Sequence, residues 1–252
     1  MTARLQLDPV EVVRAGPSTL RFYFGDCLEI LPTLAPQSVG VAVTSPPYNI
    51  GVRYRSFGDD MPREEYLRWT DRWLSILRRV LTPEGSLFLN IGGKPTDPWG
   101  PFDVAQVARK HLVLQNHIAW VKSIAIDRES AGESAGLERD LGLGQFKSLQ
   151  SDRFLNDCHE FLLHFTRDGR TPIDRLAIGV PYADKSNVAR WDRAGSNSDR
   201  RCRGNTWFIP YETIQSRDRD RPHPAKELAN VVRFAFATGW RTASEVLPPP
   251  IA

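Results

Sequence analysis

The sequence predicts an α/β protein with a Rossmann-like, doubly wound and mostly parallel sheet. Two features support this prediction. Short apolar runs rich in β-branched residues alternate with stretches in which apolar residues recur every three or four positions. Uninterrupted apolar runs are typical of parallel strands covered on both faces, and the alternation of strand and helix is typical of the connections between such strands. A chain of 252 residues is long enough for one main domain with an insertion.

The first half of the predicted sheet surrounds the apolar segment at residues 39–43, Val-Gly-Val-Ala-Val, which fits a central strand. Before it, aromatic residues predict a short strand over 21–24, and an apolar stretch over 27–34 predicts a helix that Pro36 ends. Two prolines follow the central strand and cannot continue a sheet, so residues 44–48 are expected at the carboxyl end of a buried strand. Open α/β sheets bind their ligands at that end.

The second half of the sheet is predicted by the same alternation. Apolar residues three and four apart indicate an amphipathic helix over 66–81, with Glu64 and Glu65 in its first turn. The elements after it are a strand over 86–91, a helix over 103–112, strands over 117–121 and 161–165, and a helix over 225–237. Polar stretches at 123–151 and 166–205 interrupt this order and are expected to be functional loops or disorder.

Composition limits the class of protein. The hydrophobic fraction of 41% and charged fraction of 25% are ordinary for a globular protein, and no apolar run is long enough to cross a bilayer. The first residues do not resemble a secretion signal, so we expect a cytoplasmic protein without a membrane partner. Cys27, Cys158 and Cys202 are too scattered for a disulfide framework, and neither they nor the five histidines have metal-ligand spacing. The net charge of +3 permits binding to nucleic acid.

The segment Ser45-Pro46-Pro47-Tyr48 has the groups needed to methylate an exocyclic amino group. The lone pair of such a nitrogen is delocalised into the base, and acceptors that hold both amino hydrogens localise it. The Ser45 hydroxyl and the Pro46 carbonyl, which no ladder partner uses, are two such acceptors. Tyr48 can stack on a base that has left the duplex. Without further context, the same residues fit a plain turn better.

Further segments place these residues in a wider pattern. In chain order the matching segments are residues 25–31, 44–51, 79–86, 144–148, 156–160, 204–210 and 223–226. Together they resemble the β-class DNA amino-methyltransferases, which transfer a methyl group from S-adenosylmethionine to cytosine N4 or adenine N6. Serine at the first signature position favours cytosine N4, with adenine N6 as the alternative.

The resemblance implies a role for each group of residues. The target base is held by Ser45, Pro46, Pro47 and Tyr48. S-adenosylmethionine is bordered by Asp26, Thr44, His223 and Pro224. Candidate DNA contacts are Asn49, Arg190, Arg193, Arg200, Arg201 and Arg203. The non-helical tryptophans Trp191 and Trp207 are further candidates to face nucleic acid.

The resemblance also implies a division of the chain and a set of partners. Residues 166–205 correspond to a target-recognition insertion, and residues 1–165 and 206–252 form the catalytic core. Double-stranded DNA is the implied substrate, and a homodimer and a cognate restriction enzyme are possible partners. After the helix over 225–237 we expect a glycine-rich cofactor loop, but residues 239–252 do not contain it. We therefore expect an incomplete cofactor half, which leaves open an inactive DNA-binding remnant or a surface supplied by another chain.

Overall fold

A computed structural model describes residues 8–52, 58–144, 150–182 and 200–209 of the chain. Several predictions from the sequence lie outside these ranges: Arg190, Trp191, Arg193, His223, Pro224 and the helix over 225–237. None of the helices within the described ranges has the length and apolar character that a membrane span requires.

The described residues form eleven strands and four α-helices. The strands are β1 (Glu11–Ala15), β2 (Ser18–Phe22), β3 (Val39–Thr44), β4 (Leu81–Ile91), β5 (Val113–Val121), β6 (Ile124–Ile126), β7 (Leu141–Leu143), β8 (His159–Thr166), β9 (Val180–Pro181), β10 (Arg200–Arg201) and β11 (Thr206–Phe208). The helices are α1 (Cys27–Ile30), α2 (Arg63–Val80), α3 (Gly100–Arg109) and α4 (Arg128–Ala131).

Five strands form the central sheet in the order β11-β5-β8-β4-β3. Strands β3 and β4 are parallel, as are β5 and β11, whereas β8 lies antiparallel between β4 and β5. Four of these strands therefore point the same way, and only β8 is reversed. The predicted Rossmann-like α/β class with a mostly parallel sheet is confirmed.

One face of the sheet is covered by α2 and α3. The side chains that α2 buries are three and four positions apart, as the sequence predicts: Tyr66, Thr70, Trp73, Leu74, Leu77 and Val80. They pack on alternate residues of the strands, including Leu87, Leu89 and Phe165. Complete burial of such a side chain contributes about 1.5–3 kcal/mol, so this layer fixes the position of the strand ends.

The opposite face of the sheet carries a second and smaller apolar cluster. Its buried members are Val41, Val43, Phe88, Ile118, Leu162 and Trp207, with Ile178 and Ile209 packed against them. Trp207 is only 3% exposed and lies in β11 at the edge of the described sheet. The prediction that Trp207 faces nucleic acid is therefore wrong, because its indole ring fills the core instead.

Several predicted boundaries differ from the structure, and two of the differences concern where an element begins and what it pairs with. The strand expected over 21–24 is found earlier, as β2, and it pairs with β1 in a separate hairpin whose turn contains Gly16 at a φ of 60°. The helix expected over 103–112 is α3, which begins at Gly100 because Pro101 suits a first helical turn.

The two irregular stretches contain short paired strands. In the first, β6 and β7 form an antiparallel hairpin around α4, whose N-cap residue Asp127 accepts a hydrogen bond from the Ser130 backbone. In the second, β9 pairs with β10. The boundaries 166–205 for the target-recognition insertion remain a prediction.

Candidate active site

The predicted base-binding segment begins where β3 ends, at Thr44. Pro46 and Pro47 are buried, whereas Ser45 and Tyr48 are half-buried. The two prolines remove the segment from the β ladder, and the Pro47 carbonyl accepts a hydrogen bond of 2.8 Å from the Tyr66 hydroxyl of α2. Helix α2 therefore holds the segment at the carboxyl edge of the sheet through this hydrogen bond.

The loop after Tyr48 is organised by the buried carboxylate of Asp59, which is 2% exposed. It accepts hydrogen bonds from the backbone amides of Asn49, Ile50 and Val52, at 2.8, 3.1 and 2.8 Å. The Asn49 side chain uses both ends of its amide to bind the Met61 backbone. Asn49 thus shapes this loop, and its contact with DNA remains a prediction.

A polar network, which we call the Tyr48 cluster, joins Ser45, Tyr48, Asn90, Glu160 and Lys122. The Tyr48 hydroxyl lies 2.8 Å from Ser45 Oγ and 3.2 Å from Glu160 Oε2. Asn90 Nδ2 donates to the Tyr48 hydroxyl at 2.5 Å and to Glu160 Oε2 at 2.7 Å. Lys122 Nζ forms an ion pair with Glu160 Oε1.

Each member of the Tyr48 cluster is positioned by a strand terminus. Asn90 is near the carboxyl end of β4, Lys122 follows β5, and Glu160 is near the start of the reversed strand β8. Because β8 runs opposite to its neighbours, its beginning meets their ends. The antiparallel strand therefore delivers a carboxylate to the same edge as Ser45.

The cluster is tightly packed and contains one unsatisfied acceptor. A Cβ atom on Gly92 would lie 3.0 Å from both the Tyr48 ring and Glu160 Cγ, so only glycine fits between them without displacement. Asn90 is 3% exposed, and its buried Oδ1 has no hydrogen-bond partner among the described residues. An unsatisfied buried acceptor carries a desolvation cost that a bound donor removes.

Asp26 and Thr44, the described residues expected at the cofactor, lie on different elements. Asp26 is exposed and caps α1, where its Oδ1 accepts a hydrogen bond of 2.8 Å from the Leu28 amide. Burial raises the pKa of the adjacent Cys27 thiol to about 12, and the Asp26 carboxylate adds to the rise. Cys27 is therefore a protonated and unreactive thiol at neutral pH.

The described arginines expected at DNA lie outside the Tyr48 cluster. Arg200 and Arg201 form the exposed strand β10, which pairs with β9 in a small sheet separate from the central one. The Arg203 guanidinium lies 5.8 Å from the centre of the Trp207 ring. The structure brings Ser45 and Tyr48 together at the edge of the central sheet and places Arg200 and Arg201 on a different sheet.

Three residues of the Tyr48 cluster were missed by the sequence prediction: Asn90, Lys122 and Glu160. Two of them have a recognisable signal, because Asn90 ends a buried apolar strand and Glu160 precedes one. Glu160 lies in the matching segment 156–160, but the sequence analysis assigned it no role, and a metal site with its neighbouring histidines was not expected. The reversed direction of β8, which brings Glu160 to Asn90 across 70 positions, has no signal in the local pattern.

Comparison with known proteins adds independent information. A family model described as DNA methylase matches residues 39–232. The type II methyltransferase M.HpaI of Haemophilus parainfluenzae is 31% identical over 219 residues, which cover 82% of this chain and 55% of that protein. M.BglII of Bacillus subtilis is 34% identical over 188 residues, which cover 71% and 44%. The chain thus spans about half the length of these curated relatives.

Solved structures with similar folds are more distant. The cytosine-N4-specific PvuII DNA methyltransferase has a TM-score of 0.48 at 14% identity, covering 83% of this chain and 62% of that one. The complex of TTHA0409 from Thermus thermophilus with S-adenosylmethionine has a TM-score of 0.44 at 22% identity, covering 84% and 72%.

The match to the DNA methylase model includes the buried strand β3, the Ser45–Tyr48 segment and every member of the Tyr48 cluster, and it extends over more than half of the chain. This chain therefore belongs to the N4 and N6 family of DNA methylases.

Proposed function

We propose that this chain transfers a methyl group to the exocyclic amino nitrogen of a base flipped out of duplex DNA, preferably cytosine N4. The observation that carries the proposal is the Ser45–Pro46 pair at the carboxyl edge of the sheet, next to a half-buried network that fixes the Tyr48 hydroxyl. Two acceptors at this edge hold the amino hydrogens and direct the nitrogen lone pair outwards. Serine at position 45 favours cytosine, and adenine N6 is the second candidate.

Tyr48 supports the flipped base in this proposal. Its hydroxyl is anchored by Ser45 and Asn90, which limits the rotation of the side chain. A ring held in this way supports a flipped base by stacking without losing further conformational entropy, and stacking on an aromatic side chain contributes about 1–3 kcal/mol per base. The unsatisfied Asn90 Oδ1 is a further acceptor suited to a ligand that carries hydrogen-bond donors.

S-adenosylmethionine is the cofactor of this family, and it supplies an electrophilic methyl group when bound. The described residues suit part of the S-adenosylmethionine molecule, since the exposed Asp26 carboxylate can accept hydrogen bonds from an ammonium group or from ribose hydroxyls. Thr44 ends β3 beside Ser45, so a cofactor that contacts it approaches the amino nitrogen. We assign the same cofactor role to His223 and Pro224 on the basis of the sequence resemblance.

DNA binding is assigned to the basic region that includes Arg200 and Arg201. Both side chains are exposed, and arginine binds phosphates and guanine edges. We retain 166–205 as the target-recognition insertion, with Arg190, Arg193 and Arg203 as further contacts.

Methyl transfer to DNA tests this function directly. The full chain is incubated with mixed-sequence duplex DNA and S-adenosylmethionine labelled on the methyl group. We expect labelled DNA from the wild type and from Ser75→Ala, a control in an exposed position of α2. Ser45→Ala and Tyr48→Ala should each reduce the rate by about a hundredfold or more, as loss of an oriented hydrogen-bonding group does in other active sites. Full labelling by both variants would reject the assigned roles.

A further inference from the structure

We propose that Glu160 is the terminal proton acceptor of a hydrogen-bond relay, Ser45–Tyr48–Glu160, which also keeps the Ser45 oxygen available to the amino group. This inference rests on the proposed function and assigns a role to a residue that had none in the sequence analysis. Glu160 does not touch the base in this scheme, so it is a positioning residue that acts through Tyr48.

The donors and acceptors around Tyr48 determine the direction of the relay. Asn90 Nδ2 donates to both the Tyr48 hydroxyl and Glu160 Oε2. An ionised carboxylate only accepts hydrogen bonds, so the Tyr48 proton is the one that lies between Tyr48 and Glu160 Oε2. A phenol has a single proton, and Ser45 must therefore donate to Tyr48 across their 2.8 Å contact.

This direction gives Ser45 the polarity that amino methylation needs. When its own proton points to Tyr48, the lone pairs of Ser45 Oγ remain free to accept an amino hydrogen of the base. Successive hydrogen bonds that end on a charge also polarise one another, which strengthens the acceptor at the far end. Glu160 therefore strengthens the hydrogen bond between Ser45 Oγ and the amino group, although it acts on Ser45 only through Tyr48.

Lys122 and Asn90 hold the carboxylate in place for this task. Lys122 is paired with Oε1, so Oε2 is the oxygen that faces Tyr48 and Asn90. The Glu160 and Lys122 side chains are 16% and 24% exposed, and at this burial a charge is costly unless it is paired and hydrogen-bonded. These two contacts satisfy both requirements.

The same relay removes the proton that methylation releases. The amino nitrogen uses its lone pair to bond the methyl carbon, and the cofactor sulfur keeps the electrons of the bond that breaks. The nitrogen is then cationic and carries one proton too many. That proton passes to Ser45 Oγ, the Ser45 proton passes to the Tyr48 oxygen, and the Tyr48 proton passes to Glu160 Oε2, which later releases it to water.

Glutamine at position 160 reverses the relay without removing the side chain. Its amide has two donor hydrogens, so it donates to the Tyr48 oxygen, and Tyr48 then donates to Ser45. The Ser45 proton is displaced towards the base and opposes the amino hydrogens. Aspartate at the same position retains the carboxylate and the original direction.

The test compares steady-state methylation of mixed-sequence duplex DNA by the full-length wild type, Glu160→Gln, Glu160→Asp, Tyr48→Phe and the double variant Tyr48→Phe/Glu160→Gln. Glu84→Gln is the matched control, because Glu84 is exposed near the start of β4, whereas Asn90 of the Tyr48 cluster lies near the end of that strand. We expect kcat to fall by about a hundredfold or more in Glu160→Gln, with KM for S-adenosylmethionine unchanged. Glu160→Asp should recover much of kcat, and the double variant should be no slower than Tyr48→Phe.

A second readout does not depend on turnover. The urea midpoint of unfolding should fall in Tyr48→Phe and in Glu160→Gln, and the midpoint of the double variant should fall by less than the sum of the two single shifts, because the two side chains share one hydrogen bond. Additive midpoint shifts, or kcat in Glu160→Gln equal to that in Glu84→Gln, would overturn the relay while leaving the methyltransferase in place. A wild type that labels no DNA would instead reject the proposed function and the relay with it.

Discussion

At the residue scale, Asp59 determines whether the loop after Tyr48 keeps its shape. Its carboxylate accepts three backbone N–H groups in a position that is 2% exposed. Asp59→Asn replaces one acceptor oxygen with an amide that faces these donors. We expect the free energy of unfolding, measured by urea denaturation, to fall by about 1–3 kcal/mol. Asp60→Asn, in an exposed neighbouring position, should change the free energy of unfolding little. If Asp59→Asn leaves that free energy at the wild-type value, the loop does not need this carboxylate.

Single residues also show how far a local pattern extends. Ser45 and Tyr48 are predictable, because two prolines directly after a buried strand place their neighbours at the edge of the sheet. Glu160 is not predictable in the same way, because its partner Asn90 is 70 positions away and the contact exists only if β8 is antiparallel. The direction of a strand is a tertiary property, and an apolar run is the same in either direction.

At the scale of the elements, His164 couples β8 to its neighbours without a charge. Its ring stacks on Phe88 at 4.5 Å, and its two nitrogens contact Asn116 Nδ2 and Ser86 Oγ at 3.0 and 2.9 Å. Burial lowers the pKa of His164 from 6.5 to about 4. The imidazole is therefore neutral in the folded protein over a pH range in which the unfolded chain binds a proton.

This shift makes stability depend on pH in a defined direction. The folded pKa of His164 lies below its unfolded value. The contribution of the neutral imidazole to the free energy of unfolding is therefore fully present above about pH 6.5. It is lost as the pH falls towards 4, by about 3 kcal/mol in total. Urea denaturation between pH 7 and pH 4 measures the slope. His164→Gln should flatten this part of the profile, whereas His117→Gln, an exposed position on β5, should not. Equal slopes in the two variants would contradict the assignment to His164.

The elements themselves were predicted to different degrees. Helix α2 was identified from its apolar spacing, because one buried stripe gives a period that the sequence shows directly. The hairpin of β1 and β2 was identified only in part. A strand was expected close to β2, but β1 was missed, since its residues 11–14 are exposed and such a strand has no buried apolar face to reveal it. Its turn at Gly16 is a local feature, but it does not specify which sheet the strand joins.

At the scale of the whole molecule, a net charge of +3 gives little attraction to DNA, so binding should depend on where the arginines lie. Arg200→Ala/Arg201→Ala should weaken binding by a similar factor on every duplex sequence, and should reduce the slope of log K against log salt by about 2. The control Arg14→Ala/Arg21→Ala removes the same charge from the exposed β1–β2 hairpin. Fluorescence anisotropy at several salt concentrations measures both. An identical slope in the two double variants would show that β10 is not at the DNA.

The central claim is that Ser45 and the Pro46 carbonyl hold the amino group of a flipped base while it is methylated. Mass spectrometry of nucleosides, from mixed-sequence DNA treated with the full chain and S-adenosylmethionine, tests this claim most directly. We predict that N4-methylcytosine appears with the wild type and disappears with Ser45→Ala. Methylated nucleosides that persist in Ser45→Ala at the wild-type level, or a wild type that forms none, would contradict it.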